Sequence, residues 1–174
     1  MTMGSMATFD AERLLRAFSA ALERSGRRGV VVGGWSGLGV AAAENEILCR
    51  VEEADYDWLF ARAACVIHHG GAGTVGAVLR AGRPSIVLPQ LLPQQRFADM
   101  LVRERLATGV FDARTVSADT LAASVGRALE DQSVVDSALR WRRHVEAEDG
   151  VAAAARAIEA HCARHPQVVG RRQA

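Results

Sequence analysis

Two adjacent histidines, His68 and His69, run into Gly70-Gly71-Ala72-Gly73-Thr74, and this stretch concentrates the residue types best able to do chemistry. The apolar run Cys65-Val66-Ile67 before it reads as a buried strand, and Val75-Gly76-Ala77-Val78-Leu79-Arg80-Ala81 after it reads as a helix. The first N–H groups of a helix lack intrahelical partners and sit at the positive end of its dipole, worth about half an elementary charge. A strand that passes through glycines into a helix therefore makes an anion site. Glycine lets a phosphate approach bare backbone, and Thr74 is expected to cap the helix while offering its hydroxyl. The chemistry this suggests is capture of a diphosphate.

Two other chemistries compete for glycine-rich turns in this chain. Gly71-Ala72-Gly73-Thr74-Val75-Gly76 matches the dinucleotide fingerprint G-x-G-x-x-G. That fingerprint normally opens the first βαβ unit and is followed, about 20 residues on, by an acidic residue for the ribose. Here the next strand runs into Leu88-Pro89-Gln90-Leu91-Leu92, which has no carboxylate. The second competitor is a serine nucleophile in Gly34-Trp35-Ser36-Gly37. A nucleophile elbow needs glycine two places after the serine, and Leu38 stands there, so Ser36 reads as a turn residue.

The elements that must hold these residues alternate in type. A helix over about Asp10 to Arg24 precedes the strand Val30-Val31-Val32, and Ile47 to Val51 forms the next strand. A short helix around Trp58-Leu59-Phe60 leads to the central strand, turn and helix, closed by Gly82-Arg83-Pro84. Ser85-Ile86-Val87-Leu88 is another strand, Gln94 to Leu106 a helix, and Val110-Phe111 a last short strand. Helices follow from Ser117, a capping residue, and over Val134 to Val145 and Val151 to Ala163. Met1-Thr2-Met3 is too short for a strand of its own. Strands apolar throughout and separated by helices mean an α/β fold, a Rossmann-like parallel sheet with helices on both faces. Ligands bind such sheets beyond the carboxyl ends of the strands. Gly4-Ser5, the loop at Trp35, Glu52 to Asp55, His69 to Thr74 and Gln90 to Gln94 all follow strands and should line one rim. Residues 1–163 read as one domain, and 164–174 as a flexible tail.

Composition narrows the function class. The 174 residues carry a net charge of +1, which leaves no electrostatic case for nucleic acid or an anionic membrane. Cys49, Cys65 and Cys162 have neither metal-ligand nor C-x-x-C spacing and read as buried free thiols in a reducing cytoplasm. No signal peptide is evident, and no apolar run approaches the about 18 residues needed to span a bilayer. A cytoplasmic location is expected.

From about Gly4 to Glu130 the chain resembles the C-terminal, nucleotide-sugar-binding half of GT-B glycosyltransferases, in particular the bacterial natural-product and sterol branch of family 1. The resemblance rests on Gly4-Ser5-Met6, Gly33-Gly34-Trp35-Ser36-Gly37-Leu38, Asp57-Trp58-Leu59-Phe60, His68-His69-Gly70-Gly71-Ala72-Gly73-Thr74, Ala81-Gly82-Arg83-Pro84, Pro89 and Gln94, in that order. It implies binding of a UDP- or TDP-sugar without metal or other cofactor, for inverting transfer to a small hydrophobic acceptor. By the same resemblance His69, Gly71, Gly73 and Thr74 bind the donor diphosphate, and Gly4 and Ser5 close over it. Val51 to Asp57 aligns with the loop that holds base and ribose, and positions 93 and 94 with the pair that holds sugar hydroxyls. His68 is expected to face the sheet interior, and Trp35 and Trp58 to pack on the core rather than on a ligand.

Two departures accompany the resemblance. Pro93 stands where the family has an acidic residue, so one sugar contact is missing, and Gln94 keeps the other position. The N-terminal half of the family, which carries the acceptor pocket and the catalytic base, has no counterpart in these 174 residues. No catalytic residue is therefore assigned; His144, His161 and His165 read as solvated helix-face histidines. The resemblance then implies that residues 1–163 are a nucleotide-sugar-binding, donor-binding half with a truncated first strand: a truncated gene product, an excised domain, or one part of a two-chain enzyme whose partner is a separate acceptor-domain polypeptide. The alternative is a non-catalytic nucleotide-binding or partner-binding remnant.

Overall fold

The computed structural model of the chain describes residues 1–5, 10–36, 38 and 46–165, with the side chain of Trp35 left aside. Among these residues five parallel strands are present: β1 (Gly29–Val32), β2 (Leu48–Val51), β3 (Val66–His68), β4 (Ser85–Val87) and β5 (Ala107–Val110). β1 pairs with β2, and β3 with β4 and β4 with β5. Thr2 bridges Val32 on one side and His68 on the other, both in parallel sense. Its N–H donates to Ile67 O at 2.9 Å, while Val32 N–H donates to Met1 O at 3.0 Å. The segment too short for a strand thus occupies the centre of the sheet and joins its two halves.

Among the described residues there are seven α-helices: α1 (Ala11–Ser25), α2 (Tyr56–Arg62), α3 (Ala72–Ala81), α4 (Leu92–Arg103), α5 (Ala118–Glu130), α6 (Gln132–Glu146) and α7 (Gly150–Arg164), the last with no buried residue. Side chains alternate across a strand, so neighbours on β3 and β4 feed opposite faces. Ile67 and Ile86 pack with Leu14, Leu15 and Phe18 of α1 and Leu121 and Val125 of α5. Val66 turns the other way, into Phe60 of α2 and Ala77 and Val78 of α3. Val87 joins Val75, Ala98, Leu101 and Ala138, from α3, α4 and α6. Removing each large apolar side chain from water contributes about 1.5–3 kcal/mol, and both faces of the sheet collect it. The α/β sheet covered on both sides is as the strand pattern implied.

Helix ends follow local chemistry. Asp10 caps α1 by accepting from Arg13 N–H at 2.9 Å, and Gly26 closes it in the left-handed region. Ser117 caps α5 as expected, accepting from Thr120 N–H at 3.1 Å.

Several expectations need correction. Thr74 does not cap α3: Gly71 holds the N-cap position without a side-chain bond, and Thr74 is buried in the first turn. α4 starts at Leu92 rather than Gln94, which places Pro93 inside its first turn, where a missing N–H costs nothing. β5 ends at Val110, and Phe111 lies beyond it. Cys49 is exposed, because β2 is an edge strand and half its side chains face outward. Trp58 is 58% exposed with the Arg62 guanidinium over its ring at 4.4 Å, so it does not pack in the core. The tail expectation falls on residues that, beyond His165, lie outside those described. Among the described residues no helix is long and apolar enough to cross a membrane.

Candidate functional site

The loops after the strands converge at the carboxyl rim. A cavity of about 420 Å³ lies there, lined by Thr2, Gly4 and Ser5 from the first loop, Gly34 after β1, Glu52 to Ala54 after β2, and Thr74 of α3. Backbone bonds fasten two of these loops together, Gly33 N–H to Val51 O at 2.9 Å and Gly34 N–H to Glu52 O at 2.8 Å. Ser36 is buried, and its hydroxyl is spent on the Gly33 carbonyl. A hydroxyl so engaged holds a turn and is not poised as a nucleophile.

The glycine turn reaches this cavity through Thr74, while His69, Gly71 and Gly73 are not among its lining residues. β3 delivers His68 and His69, Gly70 turns the chain at φ +86°, and α3 begins at Ala72. The first intrahelical bond is Val75 N–H to Gly71 O at 2.9 Å, so the N–H groups of Ala72, Gly73 and Thr74 have no partner within the helix. The His69 ring is wedged between two glycines. A Cβ on Gly4 would lie 2.7 Å from its Cε1, and one on Gly71 would lie 2.3 Å from its Nε2. His69 is only 7% exposed, and its Nδ1 is buried with no hydrogen-bond partner. Burial lowers its pKa below the ordinary histidine value, so the ring is neutral near pH 7.

His68 points the opposite way, into the sheet, as expected. It is fully buried; its Nδ1 accepts the Gly70 N–H at 3.1 Å, and its Nε2 meets Ser85 Oγ at 3.1 Å. Burial, then the neighbouring His69 and the chain's terminal amine, lowers its pKa to about 3.

The remaining candidates divide. Gly4 and Ser5 line the cavity with Thr74, and Gly4 is left-handed at φ +61°. Gly73 is exposed, and a Cβ there would meet nothing within 4 Å. Pro93 is exposed and Gln94 buried, and neither lines this cavity. Gln94 lies beside the glycine turn instead: a Cβ on Gly70 would come 3.0 Å from its carbonyl oxygen. Its side-chain Oε1 accepts from Gln90 N–H at 2.7 Å and Leu91 N–H at 3.1 Å, so it caps α4 from within. Among the described residues no three His, Cys, Asp or Glu side chains are grouped as a metal ion would require.

Two residues escaped the sequence reading. Thr2 Oγ1 accepts the Gly4 N–H at 3.1 Å and shares a 2.9 Å hydrogen bond with the Tyr56 hydroxyl. Tyr56 in turn stacks on Phe60, ring centroids 4.6 Å apart. The first loop is therefore held from α2, across 54 residues of sequence. Nothing local in either segment announces that pairing.

The parallel sheet with helices on both faces is the fold of the C-terminal domain of GT-B glycosyltransferases. The chain belongs to the family described as erythromycin biosynthesis protein CIII-like, C-terminal domain, whose pattern matches residues 49–160. It is 33% identical over 159 residues to sterol 3-beta-glucosyltransferase UGT80B1 of Arabidopsis thaliana, a match that covers 91% of this chain and 26% of that protein. It is 34% identical over 160 residues to O-mycaminosyltylonolide 6-deoxyallosyltransferase of Streptomyces fradiae, covering 91% of this chain and 37% of the relative. Among solved structures, the calicheamicin glycosyltransferase CalG4 superposes with a TM-score of 0.81 at 20% identity, over 94% of this chain and 41% of the other. The chain thus spans between about a quarter and two-fifths of the length of these three proteins.

Proposed function

We propose that this chain is the donor-binding half of an inverting glycosyltransferase, taking a sugar from a UDP- or TDP-sugar and passing it to a small hydrophobic acceptor. The observation that carries this reading is His69, a buried imidazole wedged between Gly4 and Gly71 with an unpartnered nitrogen, beside the free N–H groups of α3. Buried polar atoms without partners are rare, and at a helix N-terminus they suit an anion.

The chemistry then runs as follows. As the acceptor oxygen bonds to the anomeric carbon from one face, the bond to the diphosphate breaks on the other and its electron pair stays with the leaving oxygen. The N–H groups of Ala72, Gly73 and Thr74 and the ring N–H of His69 stabilise that developing charge, the work a metal does elsewhere. Ser5, which lines the cavity, offers a hydroxyl. The carboxylates of Glu52 and Glu53 are suited to accept ribose hydroxyls. The base that takes the acceptor proton belongs to a separate acceptor domain. The names of the two relatives, one a sterol glucosyltransferase and one a deoxyallosyltransferase, accord with a nucleotide-sugar donor and a hydrophobic acceptor.

One observation favours the alternative of a non-catalytic remnant: the Gln94 Oε1 is spent on its own helix, and Pro93 beside it has no acceptor. Calorimetric titration with UDP, TDP and NAD, repeated on His69→Ala, separates the readings. Saturable UDP or TDP binding that the substitution weakens by about 1–3 kcal/mol supports the donor site. Tight NAD binding returns the dinucleotide reading, and no binding of any of the three puts the remnant first.

A further inference from the structure

The inner histidine of the pair is not idle. His68 makes two hydrogen bonds in a fully buried site, one to the turn that carries His69 and one to Ser85 of β4. Because Nδ1 accepts the Gly70 N–H, it carries no proton; the ring proton is on Nε2, which donates to Ser85 Oγ. A neutral imidazole offers one donor and one acceptor, and both are in use. Ser85 is itself fully buried, and its backbone N–H is tied to Leu106 O at 2.7 Å, so it is a rigid anchor at the start of β4. Gly70 is the pivot between β3 and α3, at φ +86°, packed against Val87 and the carbonyl of Gln94. The N–H of a left-handed turn residue needs a partner when buried, and no backbone carbonyl supplies it here.

We infer that His68 is a positioning residue of the diphosphate cradle: anchored on Ser85, its ring holds the Gly70 amide and so sets how His69 and the first turn of α3 face the donor. This rests on the donor-binding reading above. The hydrogen bond fixes the peptide plane between His69 and Gly70, one bond from the Cα that bears the His69 side chain. If it is lost, that plane can rotate, and the wedge between Gly4 and Gly71 leaves the His69 ring little room to compensate.

The test uses side chains that keep one of the two ring-nitrogen contacts or neither. Asparagine places an amide oxygen near where Nδ1 lies and keeps the Gly70 contact; leucine keeps bulk and loses both bonds. UDP and TDP affinities are measured by calorimetry for the wild type, His68→Asn, His68→Leu and Ser85→Ala, each with its melting temperature. The exchange rate of the Gly70 amide is followed by NMR in the same four proteins. His68→Leu is expected to weaken nucleotide binding by about tenfold or more and to expose the Gly70 amide to exchange. His68→Asn is expected to restore both to within about threefold of the wild type, even though it too loses the Ser85 bond and melts lower. Ser85→Ala, which leaves the Gly70 bond in place, falls between and guards against a leucine variant that does not fold. Affinities that track melting temperature alone, with asparagine no better than leucine, overturn the positioning role and leave His68 a structural residue. If the wild type binds neither nucleotide, the donor reading itself fails and takes this role with it.

Discussion

The imidazole of His69 lies so close to the backbone of Gly4 that a Cβ at residue 4 would stand 2.7 Å from Cε1 of the ring. Two loops that follow neighbouring positions in the sheet but lie far apart in the sequence are thereby locked to one geometry, and the lock is made of an absent side chain. Gly71 closes the other side of the same ring. Gly4→Ala and Gly71→Ala should therefore displace His69, and the first also forces alanine into a left-handed conformation, at a cost of about 1 kcal/mol or more. Gly73→Ala should do neither, since space is open there, and its helical position favours alanine by up to about 1 kcal/mol. Chemical denaturation should thus find Gly73→Ala as stable as the wild type or more so, while nucleotide titration finds it weakened by the methyl group between backbone and phosphate. Unchanged UDP and TDP affinity in Gly73→Ala would mean the phosphate does not approach that backbone.

Stability should fall with acid in a way that reports His68. Its pKa is about 3 in the folded chain and about 6.5 when unfolded. Below pH 6.5 the unfolded state binds a proton that the folded state refuses, so stability is full above that value and drains as pH falls toward 3. The slope from this one group reaches about 1.4 kcal/mol per pH unit. Denaturation midpoints at pH 7, 6 and 5 should decline more steeply for the wild type than for His68→Asn, which cannot titrate there. Parallel declines would show that the ring is not held neutral.

His69 should take up a proton when donor binds. Burial lowers its pKa in the free chain, and a diphosphate beside it pulls the value back up. With UDP-glucose or TDP-glucose, whose diphosphates do not titrate in this range, binding enthalpies at pH 6 should depend on the ionisation enthalpy of the buffer. The dependence should vanish at pH 8 and in His69→Ala. A buffer-independent enthalpy at pH 6 would place the phosphate away from the ring.

Thr2 and Tyr56 should prove coupled. Thr2→Val keeps shape but strands the Gly4 N–H and the tyrosine hydroxyl, at an expected about 1–3 kcal/mol; Tyr56→Phe removes one bond, at about 1 kcal/mol. In a double-mutant cycle by urea denaturation, the pair should cost less than the sum of the singles. Strict additivity would mean the hydroxyls do not interact in solution.

Gln94 offers a test of its own. Gln94→Glu keeps an acceptor at the N-terminus of α4 and adds a charge the dipole favours, so it should be neutral or stabilising. Gln94→Leu leaves the Gln90 and Leu91 N–H groups bare and should cost about 1–3 kcal/mol in thermal or chemical unfolding. Equal stability of the two variants would deny the cap.

Much of this molecule is legible in one dimension. Apolar runs such as Val66-Ile67 and Ser85-Ile86-Val87 separated by helical periods imply a covered parallel sheet, since an element buried on both faces must be apolar throughout. The His68-to-Thr74 run implies an anion site because glycines between a strand and a helix expose bare N–H groups, a consequence of local geometry. Division of the two histidines, His68 inward and His69 at the rim, follows from the alternation of a strand. What the sequence could not decide depends on partners far along the chain. Thr2 fills the central strand position only because Val32 and His68 present open edges on either side. Thr74 yields the cap to Gly71 because the turn at Gly70 starts the helix earlier than residue preference suggests. Trp58 faces solvent and Cys49 lies exposed because one is on the outer side of α2 and the other on an edge strand, facts of packing and not of residue type. Gln94 turns to cap its own helix because Leu91, at the cap position, has no polar atom to do so. Local preference is set by neighbours within a few residues; edge, face and hydrogen-bond partner are set by whatever the folded chain brings alongside, and those the tertiary structure alone decides.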